Sequence, residues 1–413
     1  MPLKEDLHNL TEFLRPYEYI WNYEVLNFFP AKFPYKKDWI DSLESLSDEQ
    51  LWRFDSQGDL GPLKNKELMA LVKSLSSFTS GVTQKKENFS IPIKTAFKMG
   101  QKKNHEISRI LPKVLELHSK NKYEHLVDLG GGVGHLSRSI AHHHNLKAYC
   151  LDCDGNLLEK GQLREQTLNH ANPVQFVHAE IGKPIKGYSS LKKTNKVNDW
   201  NEIISSNALV LGLHTCGSLS NEIYSLFLDK KAKSLIHFGC CYHKACPQNH
   251  FNLSQYSKDS GLEITTHALT LASGPNLGVS FEDFEIKKRV KFYRNTLHLF
   301  MIDKGLSEGF TKVGPAPVSL YKDDFASYAK SKIGNPYSDE ELNQYFLAEN
   351  NQKLIKDMFL ANIIRSRFGR AIEFYILLDR ALSFQEKGMH VEVAEFFDGH
   401  ISPRNIGITI TSP

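Results

Sequence analysis

The 413-residue chain is 41% hydrophobic and 24% charged, ordinary proportions for a globular protein of two or three domains with a core of good size. Its net charge of +4 admits an RNA or acidic-protein partner without demanding one. No run of about 18 apolar residues occurs, so no membrane-spanning helix is expected.

The first residues, Met1-Pro2-Leu3-Lys4-Glu5-Asp6, lack the apolar segment of a secretory signal. Residues 1–95 read as an N-terminal helical region rich in aromatics: Phe13, Tyr17, Trp21 and Tyr23, then Trp39 and Trp52. These are expected to pack against the domain that follows. Ser47-Asp48-Glu49-Gln50 has the form of a capping box. Gln84 to Asn88 reads as a solvated linker, and a helix is expected from about Met99 to Ser119.

Leu126-Val127-Asp128-Leu129 then reads as a buried strand entering the turn Gly130-Gly131-Gly132-Val133-Gly134, with a helix behind it. Such a turn brings backbone close to a ligand, because glycine takes positive φ without steric cost. A dinucleotide fold wants G-x-G-x-x-G so that a pyrophosphate meets the helix N-terminus. Here the spacing is G-x-G-x-G, and His135 stands where the third glycine would be. Asp128, at the strand tip, would repel a pyrophosphate but suits a ligand carrying an ammonium and a sulfonium, which points to S-adenosylmethionine. Ala148-Tyr149-Cys150-Leu151 forms a second strand ending in Asp152, at about the 20-residue spacing of an acid that accepts ribose hydroxyls. Asp154 is the nearby competitor. A third strand, Val174 to His178, leads to Glu180, within reach of an adenine amine.

Between the third and fourth strands, residues 182–201 carry Lys183, Lys186, Lys192, Lys193 and Lys196 and read as a surface insertion. The fourth strand, Ala208 to Leu213, ends in His214-Thr215-Cys216-Gly217. The fifth, Ser234 to Phe238, ends in Gly239-Cys240-Cys241-Tyr242-His243. Residues 247–361 are polar and loop-rich and read as an insertion. A long amphipathic helix from Ala361 to Gln385 and two strands, His390 to Phe397 and Asn405 to Thr411, complete the pattern. The expected architecture is α/β: a Rossmann-like, seven-stranded class I methyltransferase sheet built from residues 96–246 and 362–413, with the helical region before it and an insertion after the fifth strand.

In such sheets the ligand lies beyond the carboxyl ends of the strands. The turns after the fourth and fifth strands are therefore the candidate acceptor side. His214 and His243 are candidate bases, since imidazole titrates near neutral pH, and Tyr242 a candidate for orienting or stacking on the acceptor. Cys216, Cys240 and Cys241 offer a thiolate for attack on a pyrimidine ring, though no proline adjoins them. The competing reading is small residues packing a tight turn. Cys240, Cys241, His243 and Cys246 also raise zinc, but neighbouring residues rarely converge on one tetrahedral ion and no C-x2-C pair is present, so no metal is expected. With Cys150 and Cys153, the six cysteines crowd into one part of the chain. That is not a disulfide framework, and an intracellular setting, cytoplasm or nucleus, is expected. His142-His143-His144 reads as a favourable helix C-terminus.

Together these residues resemble the methyltransferase-like protein 25 family, including its branch named for a ribosomal RNA adenine dimethylase domain. The matches are Met99 with Lys102-Lys103 and His105-Glu106, Asp128 to Ser137, and Leu213 to Leu219. They continue with Gly239-Cys240-Cys241-Tyr242-His243, Leu377-Leu378-Asp379-Arg380 with Gln385-Glu386, and Ile401-Ser402-Pro403-Arg404-Asn405. The resemblance implies a methyltransferase fold, and it adds Lys103 and His105 as a rim of the cofactor site. A tRNA ribose methyltransferase family carries a similar His-x-Cys-Gly and Cys-Cys-His pair of turns, which turns the expectation for the acceptor toward RNA ahead of protein. Adenine-N6 enzymes have an Asn/Asp-Pro-Pro-aromatic turn where this chain has His214-Thr215-Cys216-Gly217. The alternative function is a non-catalytic scaffold with a methyltransferase fold; a nicotinamide-dependent oxidoreductase is disfavoured by Asp128 and His135.

Overall fold

The structure is a computed structural model and describes residues 2–28, 33–144, 146–168, 170, 173–181, 202–244, 251–274, 279–311 and 313–413. The lysine-rich segment 182–201 and Cys246 lie outside the described residues. Strands β1 (Thr83–Gln84), β2 (His125–Leu129), β3 (Lys147–Asp152), β4 (Gln175–His178), β5 (Ala208–Thr215), β6 (Ser234–Gly239), β7 (His390–Glu395) and β8 (Ile406–Thr411) form one sheet. Their order is β1-β7-β8-β6-β5-β2-β3-β4. The runs Leu126–Leu129, Ala208–Leu211 and Ser234–Gly239 are buried throughout, as strands covered on both faces must be.

β2 pairs in parallel with β3 and β5, β3 with β4, and β5 with β6. β8 runs antiparallel between β6 and β7. A doubly wound dinucleotide sheet keeps its sixth strand beside the fifth. Here the last strand is slotted between them in the opposite sense, which is the class I methyltransferase arrangement expected from the sequence. Gly407 makes that insertion possible: a Cβ there would lie 2.4 Å from the Phe238 ring of β6. The sheet has one strand more than expected. Thr83–Gln84, at the start of the segment read as linker, pairs with Ala394 and Glu395 and covers the otherwise open edge of β7.

The chain divides into two compact units. The first comprises Met1–Thr11, Ser80–Ser273 and Glu373–Pro413 and contains the sheet. Its core joins Leu126, Leu209, Leu211, Ile236 and Phe238 to Ile107, Ile110 and Leu111 of the Gln101–Asn121 helix and Ile140 of the His135–His144 helix.

The second unit, Glu12–Thr79 with Gly274–Ile372, is helical among its described residues. Here the structure departs from the expectation for the N-terminal aromatics. Tyr17 packs on Phe368, and Trp52 packs edge-on to Phe281 and donates from Nε1 to the Val279 carbonyl at 2.8 Å. Phe281 and Val279 come from the stretch read as polar and loop-rich, which holds helices at Phe281–Asp303, Phe325–Ile333, Asp339–Leu347 and Glu349–Ser366, and Phe368 comes from the segment read as the long amphipathic helix. Tyr293, Phe300, Tyr321, Phe325 and Tyr328 form the unit's aromatic core. Ser47 and Gln50 do make a capping box.

The expected amphipathic helix from Ala361 is two helices. Glu349–Ser366 ends in tightened i→i−3 bonds at Arg367 and Phe368, and Gly369–Gln385 follows. Every residue from 371 to 384 is buried, so this second helix is enclosed all round rather than facing water on one side. Its buried Asp379 accepts from the backbone N–H of Leu253 and Ser254 and from the Ser254 hydroxyl.

Candidate active site

The glycine turn after β2 owes its shape to backbone conformation. Gly130, Gly132 and Gly134 have φ of 72°, 57° and 73°, values a side-chain-bearing residue adopts only with strain. Gly134 also packs under Phe176 of β4, where a Cβ would come within 2.7 Å of the ring. Asp128 sits beneath this turn, 2% exposed, with Oδ2 accepting from the Ser137 hydroxyl at 2.7 Å. Burial pushes its carboxyl up to about 6, against the Ser137 hydrogen bond and the charge of Lys103, which pull it down. A neutral-pH carboxylate is thus held directly under the backbone cradle.

Asp152, at the tip of β3, faces the same turn: its Oδ2 accepts from the Gly132 N–H at 2.9 Å and its Oδ1 from the Asp154 N–H at 2.9 Å. The rival, Asp154, is committed to the Gly155–Leu168 helix, accepting from the Asn156 and Leu157 N–H groups. Glu180 is exposed just past β4. His135 opens its helix and meets Arg164 at 3.2 Å, and burial pushes its imidazole down to about 4, so it is neutral.

On the other side of the sheet's midline, the turn after β5 comes up against the glycines. A Cβ on Gly130 would lie 3.4 Å from Leu219 and 4.0 Å from Thr215. His214 is held in the left-handed region, φ 59°, where the β5–β6 register shifts. Its Nε2 lies 2.5 Å from Oε1 of Glu106, a fully buried carboxylate on the Gln101–Asn121 helix. Ser402 donates to the same oxygen at 2.8 Å, and Lys103 lies 3.0 Å from Oε2. Burial alone would raise the Glu106 carboxyl. The hydrogen bond and charge of His214, with Lys103 and Ser402, bring it down to about 2 instead. An ionised carboxylate only accepts, so this contact is a hydrogen bond that His214 donates from Nε2–H.

The other sequence candidates divide. Lys103 joins this group. His105 does not: its Nε2 accepts from the Asp398 N–H at 2.9 Å, tying the helix to the segment after β7. Tyr242 is 5% exposed, with its ring against Gly239, so it is packed inward rather than offered to an acceptor. His243 is exposed, its backbone N–H 3.5 Å from the Ser273 hydroxyl.

Cys216, Cys240 and Cys241 converge, with Sγ–Sγ distances of 2.9 Å for Cys216–Cys240 and 3.7 Å for Cys240–Cys241. Neighbouring residues rarely bring their side chains together, but Cys240 and Cys241 lie past the end of β6, and both thiols approach Cys216.

Glu106 and Ser402 are the site residues that sequence reasoning passed over as site members. Both lie in motifs quoted for the family resemblance, and so does Arg404, which pairs with Glu373 at 2.9 Å and donates to the Ala272 carbonyl at 2.7 Å. Below the β5 turn, Thr215, Tyr224 and His237 form a buried chain of 2.7 Å hydrogen bonds. Burial pushes the His237 imidazole down to about 3, so it is a neutral structural link.

The sheet order and the glycine turn define a class I methyltransferase domain. Residues 102–248, from the helix bearing Glu106 through the β6 turn, match the family model described as a methyltransferase domain. Among solved structures, the chain is similar to the PH0226 protein from Pyrococcus horikoshii OT3, at 14% identity over 35% of this chain and 60% of that one, TM-score 0.26. It is similar to an RNA methyltransferase from Salinibacter ruber in complex with S-adenosyl-L-homocysteine, at 17% identity over 34% of this chain and 80% of that one, TM-score 0.24. A third is the tRNA (uracil-54, C5)-methyltransferase of Pyrococcus abyssi, also in complex with S-adenosyl-L-homocysteine, at 15% identity over 33% and 29%, TM-score 0.24. These scores are too low to carry the fold assignment, which rests on the strand order itself.

Proposed function

We propose that the chain is an S-adenosylmethionine-dependent methyltransferase acting on RNA, of the methyltransferase-like protein 25 kind. The observation that carries the reading is a side-chain-free cradle set between two carboxylates, Asp128 and Asp152, and meeting, at Thr215 and Leu219, the turn whose His214 is oriented by Glu106. The donor set fits a nucleoside bearing an amino acid and a sulfonium: carboxylates stand ready for ribose hydroxyls and for positive charge, and the Gly132 N–H is already taken by Asp152. Gly130, Gly132 and Gly134 would admit the ligand's body, Asp152 its ribose, Asp128 its charged end from beneath, and Glu180 its adenine.

The cofactor supplies an electrophilic methyl carbon on a cationic sulfur that leaves as a neutral thioether. The chain's part is to position the acceptor and take its proton. His214 Nδ1 accepts the proton of an acceptor hydroxyl or nitrogen as its lone pair forms the new bond to carbon. Glu106 stabilises the resulting imidazolium through Nε2–H. Lys102 and Lys103 beside Glu106, and Lys244, whose charge bears on Cys216, add positive charge around these turns and favour a polyanionic acceptor. No helix among the described residues is long and apolar enough to cross a membrane. The test is transfer of radiolabelled methyl from S-adenosylmethionine into a cell lysate, followed by ribonuclease or protease. Label released by ribonuclease supports the reading; label released only by protease moves the acceptor to protein.

A further inference from the structure

We propose that Cys216, Cys240 and Cys241 form a three-thiolate site for zinc that clasps the turns after β5 and β6. The three Sγ atoms all lie within 4.8 Å of one another, and the closest pair at 2.9 Å. Tetrahedral zinc with Zn–S bonds of about 2.3 Å wants sulfurs roughly 3.8 Å apart, so small side-chain rotations bring all three to one ion. All three thiols are partly exposed, which gives an ion a route in.

The backbone on both sides is shaped to produce this meeting. Cys216 lies between two left-handed residues, His214 at 59° and Gly217 at 64°. A Cβ on Gly217 would lie 2.9 Å from the Lys244 carbonyl oxygen, so only glycine lets the β5 turn press against the segment that follows Cys241. On the β6 side the chain leaves the strand after Gly239 and enters a 3-10 turn at Tyr242–Lys244, which swings Cys240 and Cys241 to the same side. Both Cys216 and Cys240 approach the His214 carbonyl, at 3.4 and 3.5 Å, so the backbone of the candidate base is part of the same assembly. Among the described residues no fourth Cys, His, Asp or Glu joins the group, which leaves one coordination position for water or an acceptor atom. Binding exchanges thiol protons for metal–sulfur bonds and involves no redox change.

The inference stands apart from the donor reading, because its readouts are metal content and absorption rather than cofactor affinity or transfer. The full chain is purified without chelator, with a non-thiol reductant, and its zinc measured by mass spectrometry. About one zinc per chain is expected, falling at least fivefold in Cys216→Ser and in Cys241→Ser and unchanged in Cys153→Ser, an exposed cysteine outside the cluster. Because a serine variant can misfold, the unmodified chain is also loaded with cobalt. A thiolate-to-cobalt charge-transfer band that zinc displaces stoichiometrically supports the site. Absence of both zinc and the cobalt band in folded chain, zinc content indifferent to the two variants, or a Cys216–Cys240 disulfide that persists under reductant would overturn it.

Discussion

The turn after β2 and the turn after β5 face one another, yet they are held in shape by different means. The first is a matter of backbone: three left-handed glycines, hydrogen bonds from Gly130 and Gly131 N–H to the Leu151 carbonyl, and a strand-tip carboxylate from β3. The second is a matter of distant side chains. His214 takes a conformation that glycine would normally fill, and what secures its ring is Glu106 from the helix that precedes β2 and Ser402 from the chain's last loop. The difference predicts that damage to the first turn removes binding, whereas damage to the second leaves binding and removes turnover.

The strongest way to break that contrast is Gly132→Arg. A side chain there meets φ of 57° and fills the cradle, so affinity for S-adenosylmethionine is expected to fall by roughly 100-fold or more by calorimetric titration. Undiminished affinity would place the ligand elsewhere. Glu106→Gln is the counterpart: turnover should drop by about 100-fold with donor affinity unchanged, because a neutral amide no longer stabilises the imidazolium of His214. A parallel loss of affinity would erase the distinction between the turns.

Asp128→Asn separates function from stability within the first turn. The Asp128 carboxyl is raised from 3.8 to about 6 by burial, so the folded state binds the proton more tightly than the unfolded chain. Its contribution to stability is present below pH 3.8 and lost as pH rises through about 6, up to about 3 kcal/mol. The asparagine variant should therefore melt higher at neutral pH, while binding the donor more weakly. In the unmodified protein donor affinity should fall as pH drops below about 6, and this dependence should vanish in the variant.

Two smaller changes sharpen the second turn. Gly217→Ala should cost about 2 kcal/mol in denaturant unfolding, since φ of 64° and the Lys244 carbonyl both oppose a Cβ. Ser402→Ala removes one hydrogen bond to Glu106, worth about 1 kcal/mol, and should lower turnover no more than about threefold.

The same contrast explains what could be read from the sequence. The glycine turn and Asp152 are local: their spacing states the backbone they need, and the class of sheet followed from the α/β rhythm and the terminal strand pair. Glu106 gave no such signal, because its meaning depends on His214 more than a hundred residues later and on Ser402 at the far end of the chain. The cysteine convergence was hidden for a related reason: Cys216 meets Cys240 and Cys241 across two turns, a juxtaposition that spacing along the chain does not state. In the helical unit, hydrophobic pattern foretold helices near the N-terminus but not their partners, since aromatic packing such as Tyr17 on Phe368 joins segments far apart in sequence.

The central claim is that the β2 turn cradles a sulfonium donor and not a dinucleotide. Calorimetric titration of the full chain with S-adenosylmethionine and with NAD tests it most directly. Saturable binding of the former at one site per chain, abolished by Gly132→Arg, together with no heat from NAD, is the expected result. Binding of NAD, or no binding of S-adenosylmethionine to folded protein, would contradict it.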